Sequence, residues 1–436
     1  MGRCIGIRHR VKRTAEGEAR PTLVAIRKDS ESKTYELETE TDELDFLLGR
    51  FPTSWREKGK EEDVSKFPLH HVKSRKKKGT DEEIVSVPAT LDGLRAGDTV
   101  GMILGGSGDR FAAALSRRAE EFGAGTRVMR VPPFVFKDRR PTDSKDEDHL
   151  VLAELVEKSS DLFYELGPRD RAFIRVKEAL AARKEAQLAR MGCAQRLRQR
   201  FIGSIFLSEE GRYPEGDLED EYDRLKASDP ILTKLLEEEK TREKELRKLL
   251  IQLDVWTYVL EPVRGCGEVL AAGIIVPIGD IRRFKSDAKL KAFCGVHVLS
   301  DGRFARKRRG EVSNWSPAAR QALYLLGDQF NRNPDSVWGR KLREYKAKLR
   351  AKHPVPVEVP RSGSGNGHAE EVSSPDTPAK NGKKVKKAAT VKRYTDGHIH
   401  KMAIWRTLTK FVEWLYKEWK AVEARHNLEP APTATA

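Results

Sequence analysis

Two glycines, Gly265 and Gly267, follow Arg264 in the stretch EPVRGCGEVLAAGIIV. A Gly-x-Gly turn between short apolar helical patterns suits a helix-hairpin-helix. There, backbone N–H groups at a helix N-terminus meet a phosphate, and small residues let a nucleic-acid backbone approach. Downstream, Ser300 opens a Ser-Asp-Gly turn, which by itself is a common surface turn. A basic run follows it: Arg303, Arg306, Lys307, Arg308, Arg309 and Arg320, set against Asp301 and Glu311. Beside the glycine turn, that run favours phosphate contact over a merely solvated loop. Far upstream, PTDSKDEDHL sets Asp143 and Asp146 three residues apart, so a helical turn carries both on one face. On spacing alone, the plainer reading of that pair is a helix cap.

These residues need elements to position them, and the chain divides readily. Residues 1–155 alternate strand and helix patterns, with strands expected at Arg3–Ile7, Thr22–Ile26, Lys33–Leu37, Thr99–Leu104 and Arg127–Val135, and a helix at Phe111–Phe122. This mixture predicts an α/β domain around a central sheet. Residues 57–90 are polar and charged, including SRKKKG, and read as a loop insertion. Residues 156–255 are helical in pattern, with long helices from about Asp170 to Phe201 and from Pro230 to Leu260. Such a pair predicts an antiparallel hairpin or an intermolecular coiled coil. Residues 256–350 form a compact all-α domain holding the glycine turn. Residues 352–393, rich in Pro, Ser, Gly and Lys, read as a disordered insert. Residues 394–426 close the chain with an amphipathic helix whose Ile404, Leu408, Phe411, Leu415 and Trp419 form a packing stripe.

The bulk properties narrow the partners. The 436 residues carry a formal net charge of +16, which points to a polyanion such as DNA or RNA. Four scattered cysteines, Cys4, Cys193, Cys266 and Cys294, fit neither a disulfide framework nor a zinc spacing, so reduced thiols are expected. No apolar run reaches membrane-spanning length, and the N-terminus lacks a signal-peptide core. The expected location is therefore cytoplasmic, on the nucleoid. The lysines at 76–78 and at 383, 384, 386 and 387 read as solvated runs, and Trp315 and Trp405 as packed aromatics rather than base-stacking platforms. His297, His398 and His400 show no ligand pattern.

The order of parts, together with RGCGEVLAAGIIVPIGDIRRFKSDAKLKAFCGV, resembles the transposases and site-specific invertases of insertion-sequence family 110, the bridge-RNA-guided DEDD transposases. The likeness extends to Val100–Leu115 and Thr142–Ala153. It implies an RNase H/RuvC-like N-terminal domain in which four acids hold Mg2+ for phosphoryl transfer. The acids lie on the first strand, at the end of a later strand, and in an Asp-x-x-Asp opening a helix. By this resemblance Asp143 and Asp146 are the last pair and metal ligands, with Asp148 nearby, and Ser300 is a nucleophile attacking a DNA phosphate. The other two positions depart from the pattern: Arg8 stands where the family has Asp, and Ile103 where it has Glu. Isoleucine offers no ligand atom, and arginine repels a divalent cation. Glu16 and Asp109 are the acids near enough in sequence to substitute. The implied partners are DNA, a guide RNA, and a second copy of the chain through the long helices. Three readings stay open: an active recombinase using Asp143, Asp146 and Ser300; a catalytically degenerate RNA/DNA-binding relative; and a structural dimer whose charge only solubilises.

Overall fold

The computed structural model describes residues 2–11, 19–29, 31–76, 83–142, 144–211, 213–299, 304–306, 313–360 and 390–426. The chain forms two compact units, residues 1–178 and 179–436.

The first unit is built on a six-stranded sheet. Strands β1 (Cys4–Arg8), β2 (Thr22–Lys28) and β3 (Glu31–Leu37) form an antiparallel meander, followed by helix α1 (Glu40–Leu47). Next come β4 (Phe51–Glu57), β5 (Lys73–Lys76) and β6 (Glu83–Asp92). Strand β7 (Thr99–Ile103), helix α2 (Asp109–Phe122), strand β8 (Arg127–Val131), helices α3 (Pro133–Lys137) and α4 (Asp148–Lys158), and the short β9 (Tyr164–Glu165) complete it. The sheet order is β3-β2-β1-β7-β8-β9, with β1, β7 and β8 parallel.

Period-two alternation decides what each face of this sheet carries. Ile5 and Ile7 of β1 and Val100 and Met102 of β7 are buried in one cluster with Phe111 and Leu115 of α2. Cys4 and Ile103 pack instead with Leu152 and Val156 of α4. Gly6 and Gly101 are register partners on the α4 side. A Cβ on Gly6 would lie 2.0 Å from the His149 carbonyl oxygen and 2.3 Å from the Ala153 nitrogen, and one on Gly101 would lie 2.6 Å from Val156 Cγ2. The two missing side chains make the trough that seats α4, and α4 brings Asp148 and His149 to the end of β1.

Two expectations are corrected here. The polar segment 57–90 is not simply a loop: β4, β6 and β5 pair antiparallel as a separate three-stranded sheet. Strand β5 is fully exposed, and β4 and the ten-residue β6 are half-buried without strict alternation, so they lack the period by which sequence reveals a strand. Strand β8 stops at Val131, short of Val135, because Pro132 and Pro133 supply no ladder donor and Pro133 begins α3.

Helix α5 (Pro168–Phe206) runs from the first unit into the second. Within the second unit, helices α6 (Leu218–Ser228) and α7 (Pro230–Leu250) follow. Arg183 of α5 pairs with Glu239 of α7 at 3.0 Å, and Cys193, Leu197, Tyr222 and Leu232 form a small apolar cluster. The helix expected to reach Leu260 ends at Leu250, and a separate π-helical turn spans Val255–Leu260. Helices α8 (Glu268–Ile278), α9 (Asp287–Phe293), α10 (Pro317–Arg332), α11 (Val337–Lys352) and α12 (Asp396–His426) form the compact core. The stripe Ile404, Leu408, Phe411, Leu415 and Trp419 is buried, as its spacing demands. Of the insert expected at 352–393, residues 361–389 lie outside the described residues, while its flanks pair as β10 (Val357–Pro360) and β11 (Thr390–Arg393). Among the described residues no helix is long and apolar enough to cross a membrane.

Candidate functional site

In the first unit the site implied by the sequence lies at the carboxyl ends of β1 and β7. Arg8 and Ile103 each follow the register partners Ile7 and Met102. Ile103 packs into the apolar cluster under α4 and presents no donor. The Arg8 guanidinium donates from Nη2 to the Pro21 carbonyl at 3.2 Å, and its Nε has no partner among the described residues. Burial, and then the neighbouring Arg20 guanidinium, draws the Arg8 pKa below its ordinary value, against the opposing pull of Asp146 and Asp148.

The acids around it already have cationic partners. Arg20 Nη1 sits 3.0 Å from Asp146 Oδ1. Ser144 Oγ donates to the other oxygen, Oδ2, at 2.9 Å. Asp148 is buried at the start of α4 and accepts a two-pronged bond from Arg140, 2.7 Å to Oδ1 and 2.8 Å to Oδ2. That fork-to-carboxylate geometry is the strong form of the pair. His149 lies buried beside them with Nδ1 unpartnered among the described residues. Burial first, then Arg8, holds its pKa below the usual histidine value. Asp109, a substitute acid by sequence position, sits 3.2 Å from Arg130 and 2.8 Å from Lys177. Asp143 and Glu16 lie outside the described residues.

A magnesium ion asks for several unencumbered oxygens in an octahedral set. The described donors do not fit one: Ile103 supplies nothing, Arg8 is a cation at the strand end, and Asp146 and Asp148 are taken by Arg20 and Arg140. Arg8 and Arg20 instead stand together beside Asp146 and Asp148 at the strand end. Sequence reasoning singled out Arg8 but missed Arg20 and Arg140. An arginine 12 residues beyond Arg8 carries no spacing signal, because the excursion between β1 and β2 brings it back.

The second unit holds the glycine turn. Gly265 adopts φ +90°, which a side chain resists, and its Cβ would lie 3.0 Å from both Gln329 of α10 and Asn333, which caps the C-terminus of α10. Gly267 caps the N-terminus of α8 with open space around it, and Arg264 is exposed beside it. The first turn of α8 contains Glu268, paired with Arg247 at 3.2 Å. Between the glycines Cys266 is buried, and burial pushes its thiol up to about 12.

Ser300, Arg303, Lys307, Arg308 and Arg309 lie outside the described residues. The described residues on either side of Ser300, Val298 and Phe304, form an antiparallel bridge. Phe304 meets Trp405 of α12. Arg320 is stacked between Trp315, at 4.8 Å, and Trp405, at 4.6 Å. Both tryptophans thus pack on an arginine, and burial lowers the Arg320 pKa from its ordinary value. Arg306 is exposed. The family model described as Transposase IS116/IS110/IS902 family matches residues 257–332, the segment from the π-helical turn through α10. No curated protein matches the chain.

Proposed function

We propose that this chain, an IS110-family transposase by the domain at residues 257–332, binds nucleic-acid phosphates in DNA transposition or site-specific recombination without metal-dependent strand cleavage by its own N-terminal domain. The observation that carries this reading is the arginines that occupy the expected metal site: Arg8 in the place of a metal-binding acid, Arg20 on Asp146, and Arg140 on Asp148. The sheet order, with an antiparallel meander on one side of β1 and parallel β7 and β8 on the other, supports the RNase H/RuvC-like reading. In such a scaffold, Arg8 at the strand end meets a phosphate electrostatically where an acid would hold a metal.

On this reading Arg264, the Gly265–Gly267 turn and the basic residues Arg303, Arg306, Lys307, Arg308 and Arg309 contact the DNA backbone, and a guide RNA shares the basic surface. A homo-oligomer forms through the long helices, which expose Leu188 and Met191 on α5 and Leu236 on α7. A second reading, in which Ser300 attacks DNA with Mg2+ at Asp143 and Asp146, draws on the presence of those three residues in the sequence.

The test is strand cleavage and covalent adduct formation on a DNA junction with magnesium and co-purified RNA. It compares wild type, Ser300→Ala, and the double variant Arg8→Asp with Ile103→Glu. The expected result is salt-sensitive binding by wild type and Ser300→Ala, weaker binding by the double variant, which loses the Arg8 phosphate contact, and no adduct from wild type. A wild-type adduct that disappears in Ser300→Ala overturns the proposal in favour of an active serine recombinase.

A further inference from the structure

Outside that site, one cluster converges on a single atom. Leu69–His71 is a short 3-10 turn between β4 and β5, begun by Pro68. It aims two consecutive imidazoles at Asp45 of α1: His70 Nε2 lies 2.8 Å and His71 Nε2 2.6 Å from the same oxygen, Oδ2. The two rings meet edge to face with centroids 4.4 Å apart. Asp45 is 1% exposed and His71 3%, whereas the His70 side chain is 41% exposed, leaving one side open to solvent. Oδ1, the other carboxylate oxygen, is held by Arg50 Nε at 2.7 Å, and the Arg50 backbone N–H donates to the Asp45 carbonyl at 2.8 Å. The carboxylate is therefore oriented from behind, as outer partners orient a metal ligand.

We propose that Asp45, His70 and His71 form a site for a zinc-class first-row divalent cation. Two imidazoles and one carboxylate select such an ion over magnesium, which prefers all-oxygen sets. All three ligand atoms lie within 4.8 Å of one another. Zinc sits about 2.0–2.1 Å from nitrogen and about 2.0–2.2 Å from oxygen, so a tetrahedral set spaces its ligand atoms about 3.3 Å apart. Small side-chain rotations open the present Nε2–Oδ2 contacts to that value, and the exposed flank of His70 leaves the fourth position to water. On binding, each Nε2 gives up its proton or shifts it to Nδ1. The Asp45 oxygen exchanges two N–H donors for one cation.

The consequence is mechanical. The ion ties the turn to α1, and the turn leads directly into β5, whose Lys73, Ser74, Arg75 and Lys76 are all exposed. Lys73 Nζ already rests 3.7 Å over the Trp55 ring on β4. A metal clamp at Asp45 thus fixes the base of the basic strand β5.

The test titrates Zn2+ and Co2+ into the metal-stripped full-length chain. Wild type is compared with His70→Gln, which changes a half-exposed side chain, and with His71→Gln, circular dichroism checking that each variant folds. The expected result is one equivalent bound per chain with the visible absorption of four-coordinate Co2+, undisplaced by Mg2+. Binding should weaken by about 100-fold or more in His70→Gln, since losing a ligand costs at least as much as losing an outer partner. Absence of stoichiometric binding, or binding by either variant as tight as by wild type, overturns the proposal.

Discussion

Replacing Gly6 by alanine tests the architecture that brings α4 to the end of β1. The added Cβ would sit 2.0 Å from the His149 carbonyl oxygen, 2.3 Å from the Ala153 nitrogen and 3.0 Å from the Ala153 Cα. All three are backbone atoms, so no rotamer change relieves the contact. Restoring ordinary separations of about 3.5 Å requires α4 to retreat by roughly 1.5 Å. That shift would carry Asp148 and His149 with it and open the cluster of Leu152 and Val156. Overpacking of this kind costs about 3 kcal/mol, the upper end of its usual range, and a unit of this size loses about 2–4 °C per kcal/mol, so the melting midpoint should fall by about 6–12 °C. Differential scanning calorimetry of the full chain measures it. Gly203→Ala is the control: its Cβ meets nothing within 4 Å inside α5, so it should stabilise by about 0.5–1 kcal/mol. An unchanged midpoint for Gly6→Ala would refute the claim that the glycine trough seats α4.

Two other predictions concern titration and thiols. Burial pushes the Asp92 carboxyl up, but hydrogen bonds from Arg3 and the Gly93 N–H outweigh it and leave its pKa below the usual carboxylate value; Asp45 and Glu43 are held down similarly by their partners. Such groups add stability that is present above about pH 4 and lost as pH falls through their lowered folded values. Acid unfolding followed by circular dichroism should therefore show stability falling below about pH 4, and less steeply in Asp92→Asn than in wild type. An equal slope in the two proteins counts against the Arg3–Asp92 pair. Burial pushes the Cys266 and Cys294 thiols up to about 12, so a maleimide at mildly alkaline pH should leave both unmodified until the chain unfolds. Mass spectrometry of native and denatured samples distinguishes the cases, and native labelling of either residue would contradict their burial.

The sequence by itself determined the elements that bury an apolar pattern. Alternation revealed β1, β2, β7 and β8, because Ile5, Ile7, Val24, Val100, Met102 and Val128 must leave water together. Helical spacing revealed α2, α5 and α12 for the same reason. The glycine turn was legible because glycines and turn residues fix the backbone locally, and the segment around it resembles the family whose model matches residues 257–332. The tertiary structure decided what stands next to what. Arg8 and Ile103 were readable as missing acids, but Arg20 on Asp146 and Arg140 on Asp148 were not. Ion pairs between segments follow from which faces the sheet and α4 bring together, and charge in a sequence names no partner. The three-stranded sheet within 51–92 was invisible because β5 is fully exposed and the half-buried β4 and β6 show no strict hydrophobic alternation. Asp45, His70 and His71 were equally silent, since 25 residues separate the acid from the first histidine. Only the return of the turn after β4 onto α1 makes them neighbours, and a metal site exists only where the fold closes that distance.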